Sequence, residues 1–496
     1  MTAAAIPAIP AALKIGHNFG WTAVAQGWTV VLSLGSGMVL ARLLTPSDYG
    51  VLAAVAPLIG TAHQLQSLGF SPAIIHARHI DKRQLDALFW TSFGLSVVLA
   101  GALVAAAPVT ARLFGDPRLE AVLMVASLSV MAMALVTQPT ALLARQMRFR
   151  AIALRNVFSV TAATIASIAV AAATHSYWAL VIGPVMVPLL NLVTTATLAN
   201  WLPGLPRRGA NARGLLKFGM SVWAANVLTF VSRNADNLIV AYAATPRDLG
   251  IYDRAYRVLL YPINQAVQPL GQVMISSLSH TREEPERYRA VYWRTVALLL
   301  MACQPGIALA VVYPRTVIGL LLGPAWLDGA AIFSWFGIAG LFQIFLATTN
   351  WLLISQGRGG TLVRIGVVTS LVALASFAIG ISWGITGVAI AYVVGQAACC
   401  LPYTLWETGR TSLVDHRNLA LQLMPHAAAL ALTLGGLIAA REMFGLPRWP
   451  LLITATLGAY LGYVAVLLCI GRSRALLLEL LRAGSHAVAV PRPLES

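Results

Sequence analysis

The chain has 496 residues, of which 58% are hydrophobic and only 10% charged, where soluble domains carry about 25%. That is too little charge to cover a water-soluble globule, so most of the surface must face lipid. The net charge of +17 then concerns membrane topology rather than nucleic acid.

The opening segment, MTAAAIPAIPAALKIGHNFGW, has no charged start ahead of an apolar core and does not read as a signal peptide. A span needs about 20 apolar residues. On that measure the sequence predicts fourteen transmembrane helices, near 20–41, 50–70, 87–108, 119–140, 157–174, 177–200, 217–243, 251–278, 296–313, 329–354, 362–381, 384–405, 421–440 and 450–470. Alternating sides from a cytoplasmic N-terminus places 24 of the 34 Lys and Arg in inner segments and 7 in outer ones. Arg145, Arg148, Arg150 and Arg155 form one of the inner groups. Short cytoplasmic loops keep Lys and Arg because translocating them is disfavoured, so the bias supports fourteen spans with both termini in the cytoplasm. After the last span, R474-A-L-L-L-E-L-L-R482 reads as a short amphipathic helix on the cytoplasmic surface. No predicted loop exceeds about twenty residues, so no soluble domain remains to house catalysis. Cys303, Cys399, Cys400 and Cys469 sit in apolar stretches without metal-ligand spacing and read as packing residues.

The hexapeptide T-P-S-D-Y-G (45–50) returns as T-P-R-D-L-G (245–250), six spans later and on the same predicted outer side. At the same offset, Gln26, Thr29, Ser33 and Ser36 of the first span face Asn226, Thr229, Arg233 and Asp236 of the seventh. L-F-G-D-P-R-L-E (113–120) echoes L-L-G-P-A-W-L-D (321–328). An even number of spans between copies implies two parallel six-helix repeats related by an axis along the membrane normal, with two extra C-terminal helices. The expected organisation is a tail (1–14), a first lobe (15–209), a second lobe (210–408), and a remainder (409–496) holding spans 13 and 14 and a cytoplasmic tail. The hexapeptide has a local explanation as a helix start. Thr45 caps, Pro46 takes the first helical position, Asp48 reaches back from the third, and Gly50 permits close packing. Thr245, Pro246, Asp248 and Gly250 repeat the pattern. An outer gate is the functional alternative.

Charge within a span is costly and faces a wet interior. Asn226, Thr229, Arg233, Asp236 and Asn237 fall along one face of the seventh span. Arg254, Arg257, Tyr261, Asn264, Gln265, Gln268 and Gln272 fall within an arc of roughly 100° on the eighth. Arginine forks suit a pyrophosphate, and amides and a phenol suit sugar hydroxyls. The bland readings are an Arg233–Asp236 pair three residues apart, and snorkelling of Arg254 and Arg257 to head groups. His63, Gln64, Gln66, Gln138, Gln343, Asn350 and Gln396 are expected to tie helices together.

V39-L-A-R-L-L-T-P-S-D-Y-G50 resembles the first external turn of Wzx-type polysaccharide flippases. R233-N-A-D-N-L-I-V240 with T-P-R-D-L-G-I-Y-D-R-A-Y256 resembles the matching stretch of their second half. The resemblance implies the fold of the multidrug/oligosaccharidyl-lipid/polysaccharide exporter superfamily, in the bacterial inner membrane. It implies a non-enzymatic flippase for an undecaprenyl-pyrophosphate-linked oligosaccharide, for O-antigen, capsule or exopolysaccharide. Such a protein works among membrane lipids and beside a polysaccharide polymerase and chain-length machinery. It takes no cofactor and no catalytic metal, with coupling to a sodium or proton gradient left open. A peptidoglycan lipid-precursor flippase is the nearest alternative, since it needs the same basic cavity. A drug/cation antiporter needs an acidic one. A membrane-embedded polymerase needs a large outer loop or an acidic metal motif, and the sequence has no D-x-D.

Overall fold

The computed structural model describes residues 13–67, 74, 80–198, 203–204, 242, 244–444 and 449–470. The seventh expected span (217–243), save Tyr242, and the C-terminal amphipathic helix lie outside the described residues. Among those described, the protein is helical throughout, with no strand. Thirteen of the fourteen expected spans correspond to observed helices. They are α1 (Leu13–Leu43), α2 (Pro46–Ser67), α3 (Lys82–Phe114), α4 (Arg118–Arg145), α5 (Phe149–Thr174), α6 (Trp178–Leu198), α7 (Pro246–His280) and α8 (Pro285–Val312). After a short α9 (Pro314–Leu321) and a 3-10 turn (Pro324–Gly329) come α10 (Ala330–Ser355) and α11 (Gly359–Gly380). The twelfth span combines α12 (Gly384–Gly395), a π-helical turn (Gln396–Cys400) and α13 (Leu401–Thr411), and α14 (His416–Phe444) and α15 (Trp449–Cys469) close the series. Among the described residues ten stretches are long and apolar enough to cross a membrane, one of them, Gly359–Arg410, holding two of the expected spans. The protein is therefore a multi-pass, all-α membrane protein.

Helices run past the limits that hydropathy suggests. α5 begins at Phe149 and α8 at Pro285, eight and eleven residues before the expected spans. Arg155, expected in an inner segment, instead lies inside α5 and is 6% exposed. Apolar counting stops at the first charge, whereas a helix stops only where its hydrogen-bond ladder does.

The chain packs as two compact units, Met1–Asp253 and Arg254–Ser496. In the first unit α4 is central, with Val122, Leu123 and Val130 fully enclosed. α5 buries a strict four-residue series, Arg155, Ser159, Ala163, Ser167 and Ala171. Apart from the arginine these are small, which lets α6 approach closely along the seam. In the second unit α8 and α10 bury several large side chains, among them Tyr288, Tyr292, Phe333 and Phe336, and the 3-10 turn between them buries Trp326. α14 and α15 are fastened to α8 by polar contacts. His426 Nδ1 meets Tyr463 Oη at 2.9 Å, Tyr463 donates to Gln304 Oε1 at 2.5 Å, and Tyr460 donates to the Ala302 carbonyl at 2.8 Å.

The duplication is written into the backbone. Six described residues have positive φ: Gly115, Met147, His175, Gly323, Gly357 and Gly384. They form three pairs, Gly115 with Gly323, Met147 with Gly357 and His175 with Gly384, separated by 208, 210 and 209 positions. The α4–α5 and α10–α11 links match bond for bond. Arg148 N–H donates to the Leu143 carbonyl at 2.9 Å and Arg358 N–H to the Leu353 carbonyl at 2.8 Å; Met147 and Gly357 donate to Ala144 and Ile354, each at 3.0 Å.

Candidate functional site

The repeated hexapeptide forms the expected helix starts. The Asp48 N–H donates to Thr45 Oγ1 (3.4 Å), and Asp48 Oδ2 accepts from the Thr45 N–H (2.9 Å) and hydroxyl (2.7 Å). In the second copy Asp248 N–H donates to Thr245 Oγ1 (3.2 Å), and Thr245 Oγ1 donates to Asp248 Oδ2 (2.7 Å). Each carboxylate sits on the first turn, where the exposed N–H groups and the helix dipole favour negative charge.

Within the first unit the two copies meet. A methyl group placed on Gly50 would run into the carbonyl oxygen of Pro246, and one placed on Gly250 into the carbonyl oxygen of Pro46. Both glycines are buried, so the two first turns touch backbone to backbone. A small cleft lies beside the contact, lined by Val51, Ala54, Phe114, Asp116 and Leu119.

An ion network braces this end of the unit. Arg118 binds Asp116 through Nε (3.0 and 3.1 Å) and Nη2 (2.7 Å), donates from Nη2 to Ser47 Oγ (2.9 Å), and approaches Asp48 Oδ1 at 3.5 Å. Its guanidinium also lies 5.7 Å from the Tyr177 ring centroid. Burial by itself would raise the Asp116 carboxyl. The Arg118 side chain, its backbone N–H and its charge together outweigh that and hold the carboxyl below its ordinary range. Arg118 thus links the α3–α4 corner to the first turn of α2.

The expected binding face is on α7. The helix is unbroken from Pro246 to His280, so Arg254, Arg257, Tyr261, Asn264, Gln265, Gln268 and Gln272 do share one face by register. The buried Leu259, Leu260, Ile263 and Val267 lie on the other side of the helix. Arg254 is half-buried, Arg257 exposed, and Asp253 buried. For Tyr261, Asn264, Gln265, Gln268 and Gln272 the described structure extends to the helix backbone alone, and Asn226, Arg233 and Asp236 lie outside the described residues.

Several scattered polar residues tie helices as expected. His63 Nε2 is 3.1 Å from Ser129 Oγ, Gln138 donates to the Leu88 carbonyl at 3.3 Å, and Gln343 donates to Tyr392 Oη at 2.8 Å. Sequence reasoning missed Glu407. Its side chain is 2% exposed and is flanked by Arg364 (3.2 Å) and Arg410 (3.1 Å). The available signal was a lone acid with arginine at the third position after it.

The family described as "Polysaccharide biosynthesis protein" has a sequence model that matches residues 39–331. The lipopolysaccharide biosynthesis protein WzxC of Escherichia coli is 21% identical over 76% of this chain and 77% of its own length. The succinoglycan biosynthesis transport protein ExoT of Rhizobium meliloti is 21% identical over 58% of this chain and 57% of its own. Among solved structures, the lipid II flippase MurJ in an inward closed conformation superposes with TM-score 0.71 at 13% identity, covering 90% of this chain and 98% of that one. An inward-facing multidrug resistance MATE transporter superposes with TM-score 0.57 at 16% identity, over 77% and 94%. The fold is that of these solved transporters, and the chain belongs to the polysaccharide biosynthesis protein family.

Proposed function

We propose that the protein flips an undecaprenyl-pyrophosphate-linked oligosaccharide across the bacterial inner membrane by alternating access, with both termini in the cytoplasm and no covalent chemistry. The observation that carries this reading is α7, one continuous helix placing two arginines, a tyrosine and four amide positions on a single face. Such a face costs insertion energy, so it belongs against a wet cavity. Its chemistry suits a cargo made of a pyrophosphate and sugars. Arg233 and Asp236 approach the same cavity from the seventh span in this reading. The relatives named for lipopolysaccharide biosynthesis and succinoglycan transport support the substrate class.

The Gly50–Gly250 contact is then the closed outer gate, and the caps at Thr45 and Thr245 hold its two halves rigid. The sequence has no G-x-x-x-x-G-K-[ST] loop, which favours a sodium or proton gradient as the driving force. The flipped unit passes to a polymerase and its chain-length machinery.

A second reading, flipping of the peptidoglycan lipid precursor, is favoured by the extent of the MurJ superposition. Mass spectrometry of lipid-linked sugars in a deletion strain separates the two. Accumulation of an undecaprenyl-pyrophosphate oligosaccharide supports the first reading. Accumulation of the peptidoglycan precursor alone supports the second. A lipid-linked pool identical to the parent strain's overturns both.

A further inference from the structure

Arg155 is a buried cation with no counter-ion among the described residues. Nη1 donates to Thr140 Oγ1 at 2.7 Å and to Thr195 Oγ1 at 2.8 Å, and Nη2 donates to Asn156 Oδ1 at 2.9 Å. All three acceptors are neutral. The Nε–H has no acceptor, although the residue is only 6% exposed.

The orphaned groups continue along the same seam. α5 and α6 pack antiparallel, and the Arg155–Thr195 bond sets their register. One turn on, Ser159 on α5 comes level with Asn191 on α6. Ser159 Oγ and Asn191 Oδ1 are both buried without a partner. The Asn191 amide can turn over, and its NH2 then joins Nε–H and the serine hydroxyl as a third donor. A cation and two polar groups left unsatisfied within one turn is an unfavourable arrangement unless something fills it.

The second unit solves the same problem differently. α11 also carries an arginine in its second turn, Arg364, and there the buried Glu407 neutralises it at 3.2 Å. Among the described residues of the first unit no carboxylate takes that role, which leaves room for an anion from outside the chain.

We propose that Arg155, Ser159 and Asn191 form a binding subsite for the phosphate or diphosphate headgroup of a lipid. Two features of the surroundings fit a lipid rather than a soluble anion. Arg148 and Arg150 are exposed at the α5 start, one or two turns from the subsite, where phosphate headgroups lie. Basic pockets between helices at that depth suit anionic lipids, and the helix N-terminus adds its own attraction. Leu154 and Phe158, adjacent to Arg155 and Ser159 on α5, are 47% and 54% exposed and offer an apolar track for the tail. The inner-side placement of this end rests on the topology proposed above.

The test is lipid binding to the purified full-length protein, read by native mass spectrometry. Three probes are used: undecaprenyl diphosphate, phosphatidylglycerol, and uncharged undecaprenol. Arg155→Gln should weaken the phosphate lipids about tenfold or more, the loss expected from removing charge-assisted donors. Undecaprenol binding should not change, and Arg287→Gln, far from the subsite in sequence, should behave as wild type with all three. Loss confined to the diphosphate lipid assigns the subsite to the cargo, and equal loss for phosphatidylglycerol assigns it to bulk lipid. Either supports the proposal, and the phosphatidylglycerol arm stands even where the flippase reading fails. Unchanged affinity for both phosphate lipids overturns it. Should Arg155→Gln fail to fold, Arg155→Lys and Ser159→Ala carry the test. A severalfold loss in both supports the subsite, and wild-type affinity in both overturns it.

Discussion

Gly50 and Gly250 occupy reciprocal positions. Each is the glycine of a T-P-x-D-x-G turn, and each faces the proline carbonyl of the other copy so closely that neither can carry a methyl group. A contact this close between two helix starts leaves no tolerance at either side. Gly50→Ala and Gly250→Ala should each force the turns apart, costing about 1–3 kcal/mol as overpacking does. The double variant should cost less than the sum, because the first methyl has already opened the contact. Thermal denaturation of the three purified variants measures this, and additive losses would show that the two sites do not touch.

Asp116 makes a pH-dependent contribution. Its carboxyl is held below the ordinary range in the folded protein, so the stabilisation is fully present above the unfolded value of about 4. It is lost as pH falls through the lower folded value. Asp116→Asn should cost about 1–2 kcal/mol near neutrality, the low end for charged hydrogen bonds because the Arg118 side chain is 31% exposed. The gap between wild type and variant should stay constant from pH 7 to about 5 and narrow below about 4. Melting curves across that range check it, and a gap that widens on acidification contradicts the assignment.

What the sequence revealed, and what it concealed, follows from the range of each interaction. The Thr45–Asp48 and Thr245–Asp248 caps span three residues, so local residue types suffice to read them. The span positions follow from hydropathy. That Gly50 would meet Gly250 was not legible, because a repeat shows that two segments are alike without showing that they touch. Arg155 was assigned to a loop because apolar counting cannot distinguish a charge beyond a helix from one inside it. The pairing of Met147 with Gly357 escaped notice because methionine gives no hint of a left-handed backbone. Asn226, Arg233 and Asp236 stay at the level of the sequence argument.

That pairing leads to a third prediction. Met147 has φ 57° and Gly357 φ 69° in the same turn of the two repeats. A side chain in this region costs about 1–2 kcal/mol, partly offset for glycine by the entropy of its unfolded chain. Met147→Gly should therefore be neutral or stabilising by up to about 1 kcal/mol. Gly357→Ala should destabilise by about 1 kcal/mol, and through the backbone, since beyond its flanking residues the added methyl meets open space. Opposite signs for the two substitutions, measured by chemical denaturation, would establish the matched turns. A large loss for Met147→Gly would mean that its side chain matters more than its backbone.

The last prediction concerns α7 and transport. Arg254 and Arg257 begin the polar face that Tyr261, Asn264, Gln265, Gln268 and Gln272 continue by register. If this face binds a pyrophosphate, each arginine supplies charge-assisted hydrogen bonds of about 1.5–3 kcal/mol. Arg257→Ala and Arg254→Ala should then reduce surface polysaccharide about tenfold or more in a complementation assay at equal protein abundance. Lysine should rescue only in part, because an ammonium cannot reproduce the two-pronged guanidinium geometry. Arg287→Ala gives the comparison. That side chain is 65% exposed and pairs with the equally exposed Glu284 at 3.4 Å, an arrangement worth little, so export should be unchanged. Removing the amides at Gln265 and Gln268 should, on the same condition, alter which sugar unit is accepted, since amides suit hydroxyls rather than charge. Normal export by Arg254→Ala and Arg257→Ala together would show that the face holds no pyrophosphate. Anion recognition would then have to reside elsewhere, with the Arg155 subsite the next place to look.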